Sequence, residues 1–225
     1  MAPRSIPLLL LTKIAVLADY YNCTEAIELS TEIWVRDLKD TTPIPSNYCR
    51  NLMLWMCIAW VLRLPQEFTQ TTAVAIKRSN QKELPTLALP ITGFVGRSTS
   101  WTRIEAIGTV VSQLHDLLEE YRNADYCCPS GIHSFECGSI LYGALTKGID
   151  SSGLLVPYPV APFSGMSIWE IYLKVHDIKS PVWCNPGSGR FRTHHSCNLN
   201  ERVTEIVDKV MRRVNGLELK EFGRT

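Results

Sequence analysis

Two stretches of this chain gather most of the side chains able to do chemistry. Residues 127–137 read "CCPSGIHSFEC" and residues 183–197 read "WCNPGSGRFRTHHSC". Together they hold five of the eight cysteines and three of the five histidines. Thiols and imidazoles on loops that run into helices are zinc chemistry, which asks for four such ligands, often as two pairs. Cys128 and Cys137 form one half of such a set, and Cys184 with either His195 or Cys197 forms the other. An ion at these junctions would clamp segments that are otherwise poorly anchored. Neither half has the short C-x2-C spacing of the common zinc modules, and about fifty residues separate the halves. Ordinary buried or reactive thiols are therefore the competing reading.

Other chemistries find less support. Cys184 with His195 is conceivable as the nucleophile and base of a Cys–His hydrolase, yet the surrounding text matches neither the papain nor the caspase signature. The chain has no H-E-x-x-H, no G-x-S-x-G and no Walker loop. Gly187-Ser188-Gly189 is too short a glycine pair to read as a phosphate cradle. Arg190, Arg192, His194 and His195 surround Phe191 in a way that would suit stacked nucleic acid. With 23 basic against 22 acidic residues the net charge is only +1, so nothing draws the whole chain to nucleic acid or to an anionic membrane, and 190–195 reads as a solvated basic loop. His115 and His176 fall on helices as packing or surface residues. The residues point to no catalytic site and to no small-molecule substrate, and the chain reads as a non-enzyme.

The elements that must position these loops read as helices. Residues 7–26, "PLLLLTKIAVLADYYNCTEA", admit two readings. As a secretory leader they offer Arg4 followed by an apolar run, but Lys13 sits inside that run, where a segment entering lipid tolerates charge poorly. As a helix they place Leu8, Leu11, Ala15 and Ala18 on one stripe, with Ile14 and Tyr21 flanking it and Thr12, Lys13 and Asp19 falling away. Pro7 suits the first turn. The helix is the preferred reading. Asn22-Cys23-Thr24 is a glycosylation sequon, but eight cysteines in 225 residues is far below disulfide-scaffold density. Cys23 and Cys57 sit in apolar helical text as small hydrophobes. The compartment implied is reducing and intracellular, with a secreted, disulfide-bonded, effector-like protein as the alternative. No apolar run reaches the roughly 18–20 residues that span a bilayer.

Further helices are predicted over about 24–38 (Ile27, Thr31, Trp34 and Leu38 on one face, Ile33 beside them), 48–62 (apolar nearly all round) and 65–76. Residues 79–100, with Pro85, Pro90, Gly93 and Gly96, read as an irregular loop. Thr102 and Glu105 match a capping box, opening a helix with Ile104, Ile107, Val111, Leu114, Leu118 and Tyr121 inward. A helix over 137–147 should end at Gly148, and 150–165 should be extended. Ser167 and Glu170 form a second capping box for a helix to about 178. Asn198 and Glu201 open the last helix, with Val203, Ile206, Val210 and Val214 inward. The fold class is all-α, about eight helices in one or two packed subdomains with a long Pro/Gly-rich loop. The division expected is 1–80, a linker over 81–100, and 101–225 carrying the Cys/His-rich loops.

Four stretches carry a resemblance. "LLLLTKIAVLADYYNCTEAIELSTEIW" resembles the last helices of the BTB/POZ domain in fungal BTB-containing proteins, and "LMLWMCIAWVL" resembles the buried helix that follows there. "PFSGMSIWEIYLKVHDIKSPVWC" and "HHSCNLNERV", running on to "NGLELKEF", are similar to their carboxyl-terminal portion. The similarity spans roughly 6–220. It implies an intracellular, non-enzymatic protein–protein interaction module with a protein partner of unknown identity. Because Pro-x-Trp-Cys and His-Ser-Cys segments recur in the family, it adds weight to structural zinc. Asn22 stands where the family shows an acidic residue. The BTB core, which carries dimerisation and cullin contact, is missing from this sequence, implying a short paralogue or a partial chain.

Overall fold

The computed structural model describes Pro3 and residues 5–131, 133–183, 195 and 197–223. Among them are eight α-helices and no strand: α1 Leu8–Tyr20, α2 Glu28–Thr41, α3 Arg50–Val61, α4 Pro65–Arg78, α5 Gly93–Arg122, α6 Ser134–Ser151, α7 Ile168–His176 and α8 Leu199–Arg213. The all-α reading therefore holds. None of these helices is long and apolar enough to cross a membrane.

The chain divides into two units, one of residues 1–103 with 214–225 and one of residues 104–213. The boundary falls inside α5, not in a linker over 81–100. Residues 93–100, expected in that loop, are the first turns of α5. The apolar stripe does continue there at steps of four, through Ile91, Val95, Thr99 and Arg103, all buried. Two of its members are polar, which hid the period. Thr102 consequently caps nothing; its hydroxyl donates to the Ser98 carbonyl at 3.0 Å within the helix.

In the first unit α3 is the central rod, with every residue from Leu52 to Val61 buried. α1 and α4 pack against it, and burying each such large apolar side chain is worth about 1.5–3 kcal/mol. The buried faces of α1 and α2 are Leu8, Leu11, Ala15 and Ala18, and Thr31, Trp34, Val35 and Leu38. Thr12, expected to face away, is buried as well. Its hydroxyl donates to the Leu8 carbonyl at 2.9 Å, so the helix backbone satisfies it locally. Ile33 is exposed, and so is Cys23, which lies in the turn between α1 and α2 and not on a helix. Cys57 is buried on α3, as its surroundings suggest.

Trp55 and Trp34 donate their indole N–H groups to the carbonyls of Thr42 and Pro3. The segment after α8 straps α4: Leu217 donates its N–H to Thr72 Oγ1 at 2.8 Å, and its carbonyl accepts from Thr69 Oγ1 at 3.0 Å. Gly216 makes this crossing possible, since a Cβ there would stand only 1.7 Å from the Thr69 carbonyl oxygen.

In the second unit α5, α6, α7 and α8 supply the core. It includes Ile107, Val111, Leu114, Leu141, Leu145, Ile171, Val175, Val203 and Val207. The α7 capping box is reciprocal: Ser167 Oγ accepts from the Glu170 N–H at 3.1 Å, and Glu170 Oε2 accepts from the Ser167 N–H at 3.3 Å. α6 runs four residues past its expected end, so Gly148 is interior to it. A Cβ on Gly148 would meet Ile178 Cγ2 at 2.8 Å, so this glycine serves close packing and not a cap. His115 bonds the Leu154 carbonyl at 2.8 Å, and His176 faces Asp208 at 3.4 Å.

Candidate metal centre

Three local structures of the second unit converge on one point. After α5 ends at Arg122 the chain turns through Tyr126 to Cys128, whose carbonyl accepts the Gly131 N–H at 2.7 Å. The Cys128 N–H donates to Ser134 Oγ at 3.0 Å, tying this turn to the start of α6. Cys137 follows one turn into α6, its N–H on the His133 carbonyl at 2.9 Å. The third contributor lies just before α8. His195 is held by its own N–H on the Trp183 carbonyl at 3.0 Å, and its ring stacks on Trp183 at 4.2 Å. Cys197 precedes Asn198, whose Oδ1 accepts the Glu201 N–H at the opening of α8. Loop turn, helix start and pre-helix segment are each fixed by backbone hydrogen bonds before any side chain is considered.

The four side chains then meet. Cys128 Sγ lies 3.1 Å from His195 Nε2 and 3.5 Å from Cys197 Sγ, and Cys137 Sγ lies 3.1 Å from the same His195 Nε2. All four ligand atoms fall within 4.8 Å of one another. Ligand atoms around a tetrahedral zinc, with bonds of about 2.3 Å to sulfur and 2.0–2.1 Å to nitrogen, stand about 3.5–3.8 Å apart. Three of the separations, at 3.1–3.5 Å, fall at or just inside that range, and all lie within 4.8 Å, a spread that small side-chain adjustments would close around one ion. Its donors are three thiols and one imidazole with no carboxylate, the soft set that selects thiophilic metals over calcium or magnesium. Cys128, Cys137, His195 and Cys197 could hold a metal ion, and none of the seven described cysteines is in a disulfide.

Outer partners surround the cluster. Ser130 Oγ lies 2.9 Å from Cys128 Sγ, and the Tyr126 hydroxyl lies 3.9 Å from Cys137 Sγ. Such contacts orient ligands and tune their basicity. Burial pushes the Cys137 thiol up from 9.0 to about 12, reinforced by the neighbouring thiols. Cys197 is also raised, by burial first and then by Cys128. Burial acts the same way on Cys128, but hydrogen bonds from the Ser130 side chain and backbone, then from Cys197 and Cys137, outweigh it and hold that thiol low. Burial, with His133 adding to it, lowers His195, which keeps the imidazole neutral and able to donate its lone pair.

Of the residues singled out from sequence, Cys128, Cys137, His195 and Cys197 are brought together, and both members of the His195/Cys197 alternative are in the cluster. Cys184 lies outside the described residues, as does its pairing with His195 in the hydrolase reading. Cys127 is exposed and turned away, its Sγ toward the Asp125 carbonyl. His133 faces Glu136 at 3.9 Å. Ser130, Tyr126 and Trp183 were not anticipated; the Cys-Pro-Ser-Gly turn text was the one available signal for Ser130.

Comparison of the chain with protein-family models, with curated proteins and with solved structures finds no match.

Proposed function

We propose that this chain is a non-enzymatic, intracellular protein–protein interaction module in which Cys128, Cys137, His195 and Cys197 bind one structural zinc ion. The carrying observation is the meeting of four soft ligand atoms from segments up to 69 residues apart in sequence, all within 4.8 Å. Zinc is the ion of choice because three thiolates and an imidazole form one of its standard closed shells. Four protein ligands leave no open position, so the ion would hold the fold and would not activate water.

The interaction role draws on the resemblance to the portion of fungal BTB/POZ proteins that follows the BTB core. It also draws on the surface of the first unit, where Leu17, Tyr20, Tyr21, Leu29 and Ile33 are exposed on and around α1 and α2. Exposed apolar patches of this kind commonly mark binding surfaces. The partner is a protein; no nucleic acid, membrane or small substrate is invoked. Elemental analysis of protein purified without added metal tests the zinc. About one zinc per chain is the expected result. A chain free of zinc, with thermal stability unmoved by chelator, would overturn it.

A further inference from the structure

We propose that Cys197 is a modification site for hydroperoxides, with Cys128 as its resolving thiol and loss of the bound ion as the consequence. The last clause and the thiolate form of Cys197 rest on the zinc reading; the place of Cys197 in a cleft and of Cys128 beside it does not. The three thiols of the cluster differ in access. Cys137 is 0% exposed and Cys128 4%, whereas Cys197 is half-buried and lines a cleft of about 330 Å³ shared with Tyr121, Tyr126, Ser130 and Arg202. Cys128 and Cys137 do not line it. Cys197 is therefore the one of these three cysteines that borders the cleft a small oxidant would enter. Oxidation follows access as well as thiolate character, and a metal-bound cysteine is already a thiolate.

The second requirement is a resolving thiol within reach. Cys128 Sγ stands 3.5 Å from Cys197 Sγ, so a disulfide of roughly 2.05 Å asks the two sulfurs to close by about 1.5 Å. Cys127, although exposed, points to the Asp125 carbonyl and lies outside the cluster.

The steps balance. The Cys197 thiolate attacks one peroxide oxygen, the O–O bond breaks, and the departing oxygen takes up a proton to leave as water or an alcohol. Cys197 is left as a sulfenic acid. The Cys128 thiolate then attacks the Cys197 sulfur, forming the S–S bond and expelling hydroxide, which leaves as water on protonation. Two thiols and one hydroperoxide give one disulfide, one alcohol or water, and one further water. Cys137 and His195 alone remain for the ion, too few to retain it.

The test treats purified protein, first with its metal and then stripped of it by chelator, with hydrogen peroxide. Peptide mapping locates the oxidised cysteines while a chromogenic chelator follows zinc. The expected result is a Cys128–Cys197 disulfide in the loaded form, with zinc released one for one with it. The same disulfide should form more slowly in the stripped form, where no ion holds Cys197 as a thiolate. Cys127→Ser should change neither reading. A dominant disulfide involving Cys137 or Cys127, over-oxidation of Cys128 or Cys137 with Cys197 intact, or no oxidation at the cluster would overturn the inference. A protein without zinc that still forms the Cys128–Cys197 bond would remove the metal and leave the modification site standing.

Discussion

His195 Nε2 is shared between two sulfurs, Cys128 and Cys137, each at 3.1 Å. Ser130 also neighbours the first of these sulfurs and Tyr126 the second; a metal ion at the centre of the cluster would bind all four ligand groups together. At this scale the prediction concerns ligand loss. Cys128→Ser, Cys137→Ser, Cys197→Ser and His195→Ala should each abolish stoichiometric zinc, read by elemental analysis. Cys57→Ala should keep the ion and cost only packing. A Cys137→Ser protein that still carries a full complement would remove Cys137 from the shell.

The pH dependence follows from the raised thiols. Cys137, pushed up to about 12 by burial, and Cys197, raised by burial and by Cys128, both hold their protons at neutral pH in the metal-free protein. Zinc must displace those protons, so affinity rises with pH and falls as pH drops. His195 is lowered by burial and adds no proton to displace near neutrality. Calorimetry in buffers of different ionisation enthalpy should show net proton release on zinc binding near pH 7, including the protons of Cys137 and Cys197. Uptake of protons, or none exchanged, would contradict the ligand assignment.

At the scale of elements, glycines make the sharpest statements. Helix propensity alone favours alanine over glycine by about 1 kcal/mol inside a helix. Gly148 lies within α6, yet a Cβ there meets the buried Ile178 at 2.8 Å. Gly148→Ala should therefore lower the denaturant midpoint, by about 1–3 kcal/mol of overpacking. Gly216→Ala should loosen the 214–222 strap from α4, because its Cβ has no room beside the Thr69 carbonyl. An unchanged or raised midpoint for Gly148→Ala would refute the close approach.

These same elements show what the sequence could disclose. Most of the α1 and α2 stripes, Val203 and Val210 of α8 and the Ser167 box were legible, because apolar spacing and cap chemistry are local properties. On α8, however, Ile206 is only half-buried and Val207 is the buried neighbour. The start of α5 was not, since Thr99 and Arg103 occupy core positions and interrupt the apolar count. Gly148 looked like a stop signal because a glycine that serves packing and one that serves a cap are the same letter. Cys128 and Cys137 were legible as half a metal set. That both His195 and Cys197 join them was not, since sequence spacing says nothing of how the chain before α8 returns to the α5–α6 turn.

At the scale of the molecule, the proposed ion belongs wholly to the unit of residues 104–213. It links the α5–α6 turn to the approach to α8, and its binding free energy is folding free energy for that unit. Chelation should therefore speed amide exchange in α6, α8 and the 123–137 turn first, while α3, buried along ten consecutive residues, keeps its protection. Uniform loosening of both units, or of α3 first, would contradict a local clamp.

The central claim is the shell itself, and X-ray absorption at the zinc edge of the purified protein reads it directly. The account predicts three sulfurs at about 2.3 Å and one nitrogen at about 2.0–2.1 Å. A shell dominated by oxygen or nitrogen, or one holding four sulfurs and no imidazole, would contradict the assignment of Cys128, Cys137, His195 and Cys197.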